Sequence, residues 1–190
     1  IILNPFQPTG VHKDRIYLHG FSPIGALAFP EEDYFSAINS PDFIKNSGIG
    51  ILDKFQLQRF LNTSSIYWHG INLYISDSDS GIRTNSSPED FETILELIYL
   101  YFTDAKTSQL AFENWKRNDN KEYEDLPGNI QNSDLLSNIK TIIGDNLRKI
   151  EGTARRQGLE KTDMQRGYEI YNKIFGNTET FTFIISGNFS

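Results

Sequence analysis

The chain has 190 residues, no cysteine and a formal net charge of −7 at pH 7. Its length fits one large domain, and a hydrophobic content of 38% with 13% aromatic residues predicts a folded protein with a substantial core. The composition excludes disulfides, thiolate zinc sites, a cysteine nucleophile and a membrane span, and its acidic balance opposes general nucleic-acid binding.

The first third of the chain predicts strands followed by helices. Residues 1–3 form a short strand, and Arg15 to Ser22 alternate apolar Ile16 and Leu18 with Tyr17, His19 and Phe21, which is typical of a strand with one buried face. A helix over Glu31 to Ser47 follows, and we expect Pro41 to kink or restart it. A shorter helix spans Asp53 to Leu61. The core candidates on these two helices are Tyr34, Phe35, Ile38, Phe43, Phe55, Leu57, Phe60 and Leu61.

A hairpin is predicted next. Ile71, Leu73 and Ile75 alternate with polar residues, Asp77 to Gly81 supply a turn, and Ile82 to Ser86 return as a second strand. The turn superficially resembles the start of a calcium loop. A hairpin is favoured, because Pro88 stands at the twelfth position, where such a loop requires a bidentate Glu.

An apolar helix over Pro88 to Thr103 is capped by Ser87, and Pro88 suits the first helical position because its missing N–H needs no partner there. The last two turns are apolar nearly all round, so we expect cover on most sides. The core candidates are Phe91, Ile94, Leu95, Ile98, Tyr101 and Phe102.

The remaining chain predicts three helices and a closing strand. A charged helix over Ser108 to Glu124 is anchored by Phe112, Trp115 and Tyr123, and a loop follows at Asp125 to Gln131. A second helix ends at Gly144, and a third over Asp163 to Phe175 is capped by Thr162 and stopped by Gly176. The second helix buries Leu135, Leu136, Ile139, Ile142 and Ile143, and the strand turns Phe181, Phe183 and Ile185 to one side.

Strands, then helices, then a closing strand predict an α+β fold: a mainly antiparallel sheet covered on one face by helices, in two layers. We expect residues 1–190 to form a single domain. Because the sequence opens at Ile1 without a methionine, we expect it to be a fragment of a longer polypeptide.

Five short segments carry a resemblance to a known family. They are Ser47-Gly48-Ile49-Gly50, Tyr74-Ile75-Ser76-Asp77, the Ser86 to Thr93 cap, Leu97 to Thr103, and Phe181-Thr182-Phe183 with the closing Gly187-Asn188-Phe189. In this order they resemble the insulinase/pitrilysin-like zinc metallopeptidases, and most closely the third of four homologous domains in bacterial members. The resemblance implies the two-layer α+β fold just described. None of the five is a catalytic motif.

Active members of that family bind zinc through His-x-x-Glu-His on a helix after the second strand, with a distal Glu downstream. Here the matching stretch, approximately Ala37 to Phe43, has Ile38, Asn39, Ser40 and Pro41, and no histidine. Glu122 falls near the distal position without partners, and His12, His19 and His69 are too scattered to form a ligand pattern. We therefore predict no catalytic, cofactor-binding or metal-binding residue in this chain, and by resemblance zinc in the first domain of the parent.

The resemblance implies a non-catalytic domain that encloses substrate in a zinc metallopeptidase hydrolysing peptides. The alternative is a domain of a degenerate, non-enzymatic relative that acts as a scaffold or assembly subunit. The expected partners are sister domains of the same polypeptide and an enclosed peptide, with no nucleic acid, and the expected location is the bacterial periplasm or cell envelope. Tyr17, Tyr67, Trp68 and Tyr74 could offer an aromatic peptide-binding face, although sheet core or packing against a neighbouring domain is favoured.

Overall fold

The computed structural model describes residues 1–5, 14–62, 70–124 and 158–187, without the side chains of residues 5 and 120–124. The predicted loop at Asp125 to Gln131, the helix ending at Gly144, and the side chains of Tyr67, Trp68 and Tyr123 lie outside the described residues.

Five strands form one mixed sheet. They are β1 (Ile2–Pro5), β2 (Ile16–Ser22), β3 (Asn72–Ile75), β4 (Ser80–Ser86) and β5 (Thr182–Gly187). The order across the sheet is β1-β5-β2-β4-β3, and only the β1–β5 pair is parallel among these strands. The closing strand is thus inserted between the first two. The predicted α+β fold with a mainly antiparallel sheet is confirmed.

The helices cover one face of this sheet. They are α1 (Tyr34–Ser47), α2 (Lys54–Asn62), α3 (Phe91–Thr103), α4 (Gln109–Glu124) and α5 (Met164–Phe175), with 3-10 turns at Ala26–Ala28, Glu31–Asp33 and Thr178–Thr180. Helix α1 lies against β3, α3 lies against β4, and α5 packs on both helices. Within the described residues, no helix combines the length and apolarity needed to cross a membrane.

Aromatic rings join the helices to the closing strand. The Phe102 ring centroid on α3 lies 5.4 Å from that of Phe175 on α5, 4.8 Å from Phe181 and 5.8 Å from Phe183. On α1, the Phe43 ring centroid lies 5.2 Å from that of Phe112 on α4. Edge-to-face pairs of this kind add to the area buried, so these rings anchor the core.

Helix α1 runs from Tyr34 to Ser47 through Pro41, so the helix does not restart there, and a kink at Pro41 stays a prediction. A proline lacks the N–H that would bond to the carbonyl four residues earlier. Here that carbonyl belongs to Ala37, and the Ser40 hydroxyl donates to it at 2.8 Å. The neighbouring side chain thus supplies the missing donor.

The Ser47-Gly48-Ile49-Gly50 segment ends this helix. Gly48 and Gly50 have φ angles of 91° and 54°, in the left-handed region that favours glycine. The motif is therefore a helix-ending turn whose conformation depends on its two glycines.

Two helix faces differ from expectation. In α2, Leu57 and Leu61 are buried, but Phe55 is 70% exposed and Phe60 48%. In α3, Leu95 is 42% exposed, so its placement in the core is wrong. The sheet contacts only one stripe of α3, whose buried residues are Ile94, Leu97, Ile98, Tyr101 and Phe102.

The residues that cap α3 and α5 differ from those predicted. Helix α3 begins at Phe91, and the Ser87 hydroxyl instead caps the preceding turn by accepting from the Asp90 N–H at 3.3 Å. Helix α5 is capped by Asp163, whose carboxylate accepts from the Arg166 N–H at 2.7 Å, rather than by Thr162.

Candidate functional site: the open face of the sheet

Helix α1 contains the stretch that the family resemblance aligns with a zinc-bearing helix, and the side chains there take part in packing. The buried Asn39 amide donates to the Thr162 hydroxyl at 2.9 Å, Ser40 bonds to Ala37, and Pro41 is buried. Zinc in proteins takes Cys, His, Asp or Glu ligands, and Asp42 is the only such residue between Ala37 and Phe43. This part of α1 serves the packing between α1 and the segment before α5.

Other predicted site residues are separated or lie elsewhere. In the part of the chain that the structure describes, no group of three or more His, Cys, Asp or Glu could hold a metal ion. His19 lies on β2, whereas His12, His69 and the side chain of Glu122 lie outside the described residues. The absence of a zinc site from the whole chain stays a prediction.

The face of the sheet away from α1, α3 and α5 presents a polar and aromatic surface, called here the open face. Strand register places Tyr17, His19 and Phe21 of β2 on it, and these are half-buried while Ile16 and Leu18 point into the core. On β4 the open face carries exposed Arg83 and Asn85. Its further members are Asn72 and Tyr74 of β3 with Ile184 and Ser186 of β5.

Four side chains form a cluster on the open face. His19 Nε2 lies 3.1 Å from the Tyr74 hydroxyl, which donates to Asp79 Oδ2 at 3.0 Å. The guanidinium carbon of Arg83 lies 4.5 Å from the Tyr74 ring centroid, a cation–π contact. Because Tyr74 has one hydroxyl proton and gives it to a carboxylate, it accepts from His19. In the other tautomer His19 Nε2 is unprotonated and accepts from the Arg83 Nε–H, at 3.3 Å.

The electrostatics of the cluster favour neutral rings. Burial lowers the pKa of His19, Arg83 adds to that shift, and Asp79 opposes it. Burial also raises the pKa of Tyr74, with the hydrogen bond to Asp79 acting in the same direction. His19 is therefore neutral and Tyr74 protonated near neutral pH.

An open cleft of about 470 Å³ crosses this face. Its lining includes Tyr17, His19, Asn72, Arg83, Asn85 and Ser186. These groups offer amide, hydroxyl, imidazole and guanidinium hydrogen bonds but no paired nucleophile and base. The cleft can therefore form hydrogen bonds with a polar ligand.

Sequence reasoning found only part of this site. Tyr17 and Tyr74 do lie on one face of the sheet, as the aromatic-face interpretation requires. His19, Arg83 and Asp79 were missed as a cluster, since 64 residues separate His19 from Arg83. The sequence of β4 gave little signal for Arg83 and Asn85, because the buried positions Thr84 and Ser86 that alternate with them are also polar.

The chain matches no protein-family profile. One curated relative, the "Probable zinc protease PqqL" of Haemophilus influenzae, is 21% identical over 180 residues, which cover 92% of this chain and 18% of that protein. The chain therefore spans about a fifth of the length of this relative.

Solved structures share the fold. The periplasmic protease PqqL from Escherichia coli is 15% identical with a TM-score of 0.68, covering 94% of this chain and 19% of that one. A peptidase M16 inactive domain from Pseudomonas fluorescens is 14% identical with a TM-score of 0.65, covering 100% of this chain and 43% of that one. The curated relative and these structures confirm the resemblance to the insulinase-like zinc peptidases, including an inactive domain of that family.

Proposed function

We propose that this chain is a non-catalytic, substrate-enclosing domain of a zinc metallopeptidase that hydrolyses peptides. The observation that carries the proposal is the asymmetry of the sheet. Helices cover one face, whereas the other holds an open, polar and aromatic cleft. A cleft of about 470 Å³ lies within the size range of ordinary ligand pockets, roughly 300 to 1,000 Å³.

The sequence at the zinc-helix position supports a non-catalytic role. Asn39, Ser40 and Pro41 pack in the core and replace the metal ligands that an active domain would place there. The zinc and the hydrolytic step would then belong to the first domain of the parent, and this domain would form part of the wall around the peptide. Its relation to PqqL favours a periplasmic location for the parent.

Sister domains of the same polypeptide are the proposed partners. On α3, the outer face exposes 42% of Leu95 and 66% of Tyr99. Exposed apolar side chains on a helix that also covers the core suit a modest interdomain contact, typically about 600 to 1,500 Å². The helical layer would meet neighbouring domains while the open face borders the substrate chamber.

Site-specific photocrosslinking in the full-length parent tests this orientation. A photoreactive residue at Asn85, on the open face, should capture a bound peptide substrate. The same residue at Glu96, exposed on α3, serves as the matched control and should not. Capture at Glu96 and not at Asn85 would contradict the proposed wall.

Deleting this domain from the parent gives a second test. The deletion should sharply reduce peptide cleavage, because it removes part of the wall around the substrate. It should leave the zinc content unchanged, because it removes no zinc ligand. A folded deletion variant that keeps its zinc and cleaves at the full rate would overturn the enclosure role.

The alternative function is a scaffold domain in a non-enzymatic relative. The match to an inactive domain of peptidase family M16 is compatible with it. The first domain of the parent separates the two proposals. An intact His-x-x-Glu-His there favours the peptidase, and its loss favours the scaffold.

A further inference from the structure

We propose that the open-face cleft recognises a carboxylate on an extended peptide, with Arg83 as its ion-pair partner. This inference rests on the proposed substrate-enclosing function and assigns a ligand chemistry to the same surface. The peptide would carry the carboxylate either on an acidic side chain or at its C-terminus.

Arg83 is exposed and forms no ion pair with any residue in the described part of the chain. By contrast, Arg166 forms a two-bond ion pair with Asp33, in which Nε donates at 2.9 Å and Nη2 at 2.7 Å. An unpaired guanidinium retains N–H donors in the fork geometry that matches a carboxylate. Arg83 thus keeps its recognition capacity for a ligand.

The surrounding side chains hold Arg83 in place. Its guanidinium lies over the Tyr74 ring, and the Tyr74 hydroxyl is fixed by its bond to Asp79. Less rotational freedom is then lost when a ligand binds, so more of the interaction appears as affinity.

The cleft also suits a carboxylate by its charge. Among the described residues that line it, none is Asp or Glu, although the whole chain carries a net charge of −7. Arg83 is the sole permanently charged group among these described residues, because burial keeps His19 neutral near pH 7 by lowering its pKa. One cation balances one carboxylate, whereas nucleic-acid binding requires clustered cations.

The neighbours of Arg83 can bind the peptide backbone. In the sheet register Arg83 stands between His19 of β2 and Asn72 of β3, and Asn85 pairs with Tyr17 two residues along. The Asn72 and Asn85 side chains are exposed and can both donate to and accept from peptide groups. Arg83 would therefore bind the carboxylate, and the Asn72 and Asn85 side-chain amides would bind the adjoining peptide backbone.

Calorimetric titration of the 190-residue protein with three pentapeptides tests the proposal. The first is an N-acetylated, C-amidated chain of threonines with a central glutamate, and the second carries glutamine instead. The third is the glutamine peptide with a free C-terminal carboxylate. We expect the glutamate peptide to bind about tenfold more tightly than the glutamine peptide, as a charge-assisted bond to an arginine allows. A gain for the third peptide would assign the carboxylate to the C-terminus instead.

Arg83→Gln should remove the advantage of the carboxylate peptide. Arg117→Gln is the matched control, because Arg117 is an exposed arginine on α4 away from the cleft, and it should keep the advantage. NMR of the unmodified protein gives a test that needs no variant. The backbone amide signals of His19, Asn72 and Asn85 should shift more on addition of a carboxylate peptide than on addition of the neutral peptide.

Equal binding of all three peptides would overturn carboxylate recognition but would not contradict the substrate-enclosing role. Absence of binding at millimolar peptide, or an Arg83→Gln variant that keeps the advantage, would also overturn it. The crosslinking at Asn85 in the parent decides the enclosure role independently, so the two failures are distinguishable.

Discussion

The two faces of this sheet are built from alternate residues of the same strands, yet they serve different ends. Ile82 on β4 is fully buried beneath the helices, and the next residue, Arg83, is exposed over Tyr74. On the core face, packing against α1 and α3 stabilises the fold. On the open face, side chains remain available to a ligand. Stability and the proposed recognition are thus separable in this domain, because successive side chains of a strand point to opposite faces.

The largest contrast should come from substitutions on the two faces of β4. Ile82→Ala should lower the free energy of unfolding by about 2 to 5 kcal/mol, because it leaves a cavity in the core. Asn85→Ala on the open face should change it by less than about 0.5 kcal/mol. Urea denaturation measures both. Similar losses would mean that the open face is also a packing surface.

Helix α3 offers the same contrast. Leu97 is 3% exposed and Leu95 42%. Leu97→Ala should cost about 2 to 5 kcal/mol and Leu95→Ala less than about 1 kcal/mol, again by urea denaturation. A larger loss of unfolding free energy in Leu95→Ala would show that Leu95 belongs to the core and not to the outer face of α3.

The helical layer itself can be tested at Gly167 on α5. A Cβ built there would lie 2.7 Å from the Ser36 carbonyl oxygen and 2.8 Å from Phe43 Cζ, so α1 and α5 approach too closely for a side chain. Gly167→Ala should destabilise by about 1 to 3 kcal/mol through overpacking, although alanine favours a helix. Asn172→Ala, at an exposed position of the same helix, is the control and should be neutral or slightly stabilising. A stabilised Gly167 variant would contradict the close approach.

The smallest effect concerns His19 on the open face. Its pKa should lie below the usual value of about 6.5, chiefly through burial, and Arg83→Gln should raise it by removing a nearby positive charge. Because the folded state favours the neutral ring, this contribution to stability is complete above the unfolded pKa. It is lost as the pH falls from about 6.5 through the lowered folded pKa. Nitrogen NMR of the imidazole measures the titration, and an unchanged pKa in the Arg83 variant would place the guanidinium away from His19.

Local periodicity predicted most elements well. The alternation in β2 and β3 was recognisable because one face of each strand is apolar, and the more polar β4 was recognisable from the turn at Asp77 to Gly81. The expected restart of the helix at Pro41 was wrong, and the Ser40 hydroxyl there donates to the Ala37 carbonyl in place of the missing N–H. Burial of Leu95 and Phe55 was wrong because apolar composition around a helix does not show which stripe the sheet will contact.

The candidate site was less predictable. Tyr17 and Tyr74 could be assigned to a shared face from their strands, but their neighbours in the cluster could not. His19 lies 55 residues from Tyr74 in the sequence and 3.1 Å from its hydroxyl in the structure. No local pattern encodes such a contact, because it depends on the order and register of β2, β4 and β3.

By itself the sequence determined the strand and helix periods, the glycine turn that ends α1, and the resemblance to the insulinase-like peptidases. These are local features, carried by side-chain spacing and by the backbone freedom of glycine. Only the tertiary structure decided that β5 enters between β1 and β2, and that the Arg83 guanidinium lies over the Tyr74 ring beside His19. Packing of the core face sets that register, and the register in turn brings residues from distant parts of the chain together on the open face.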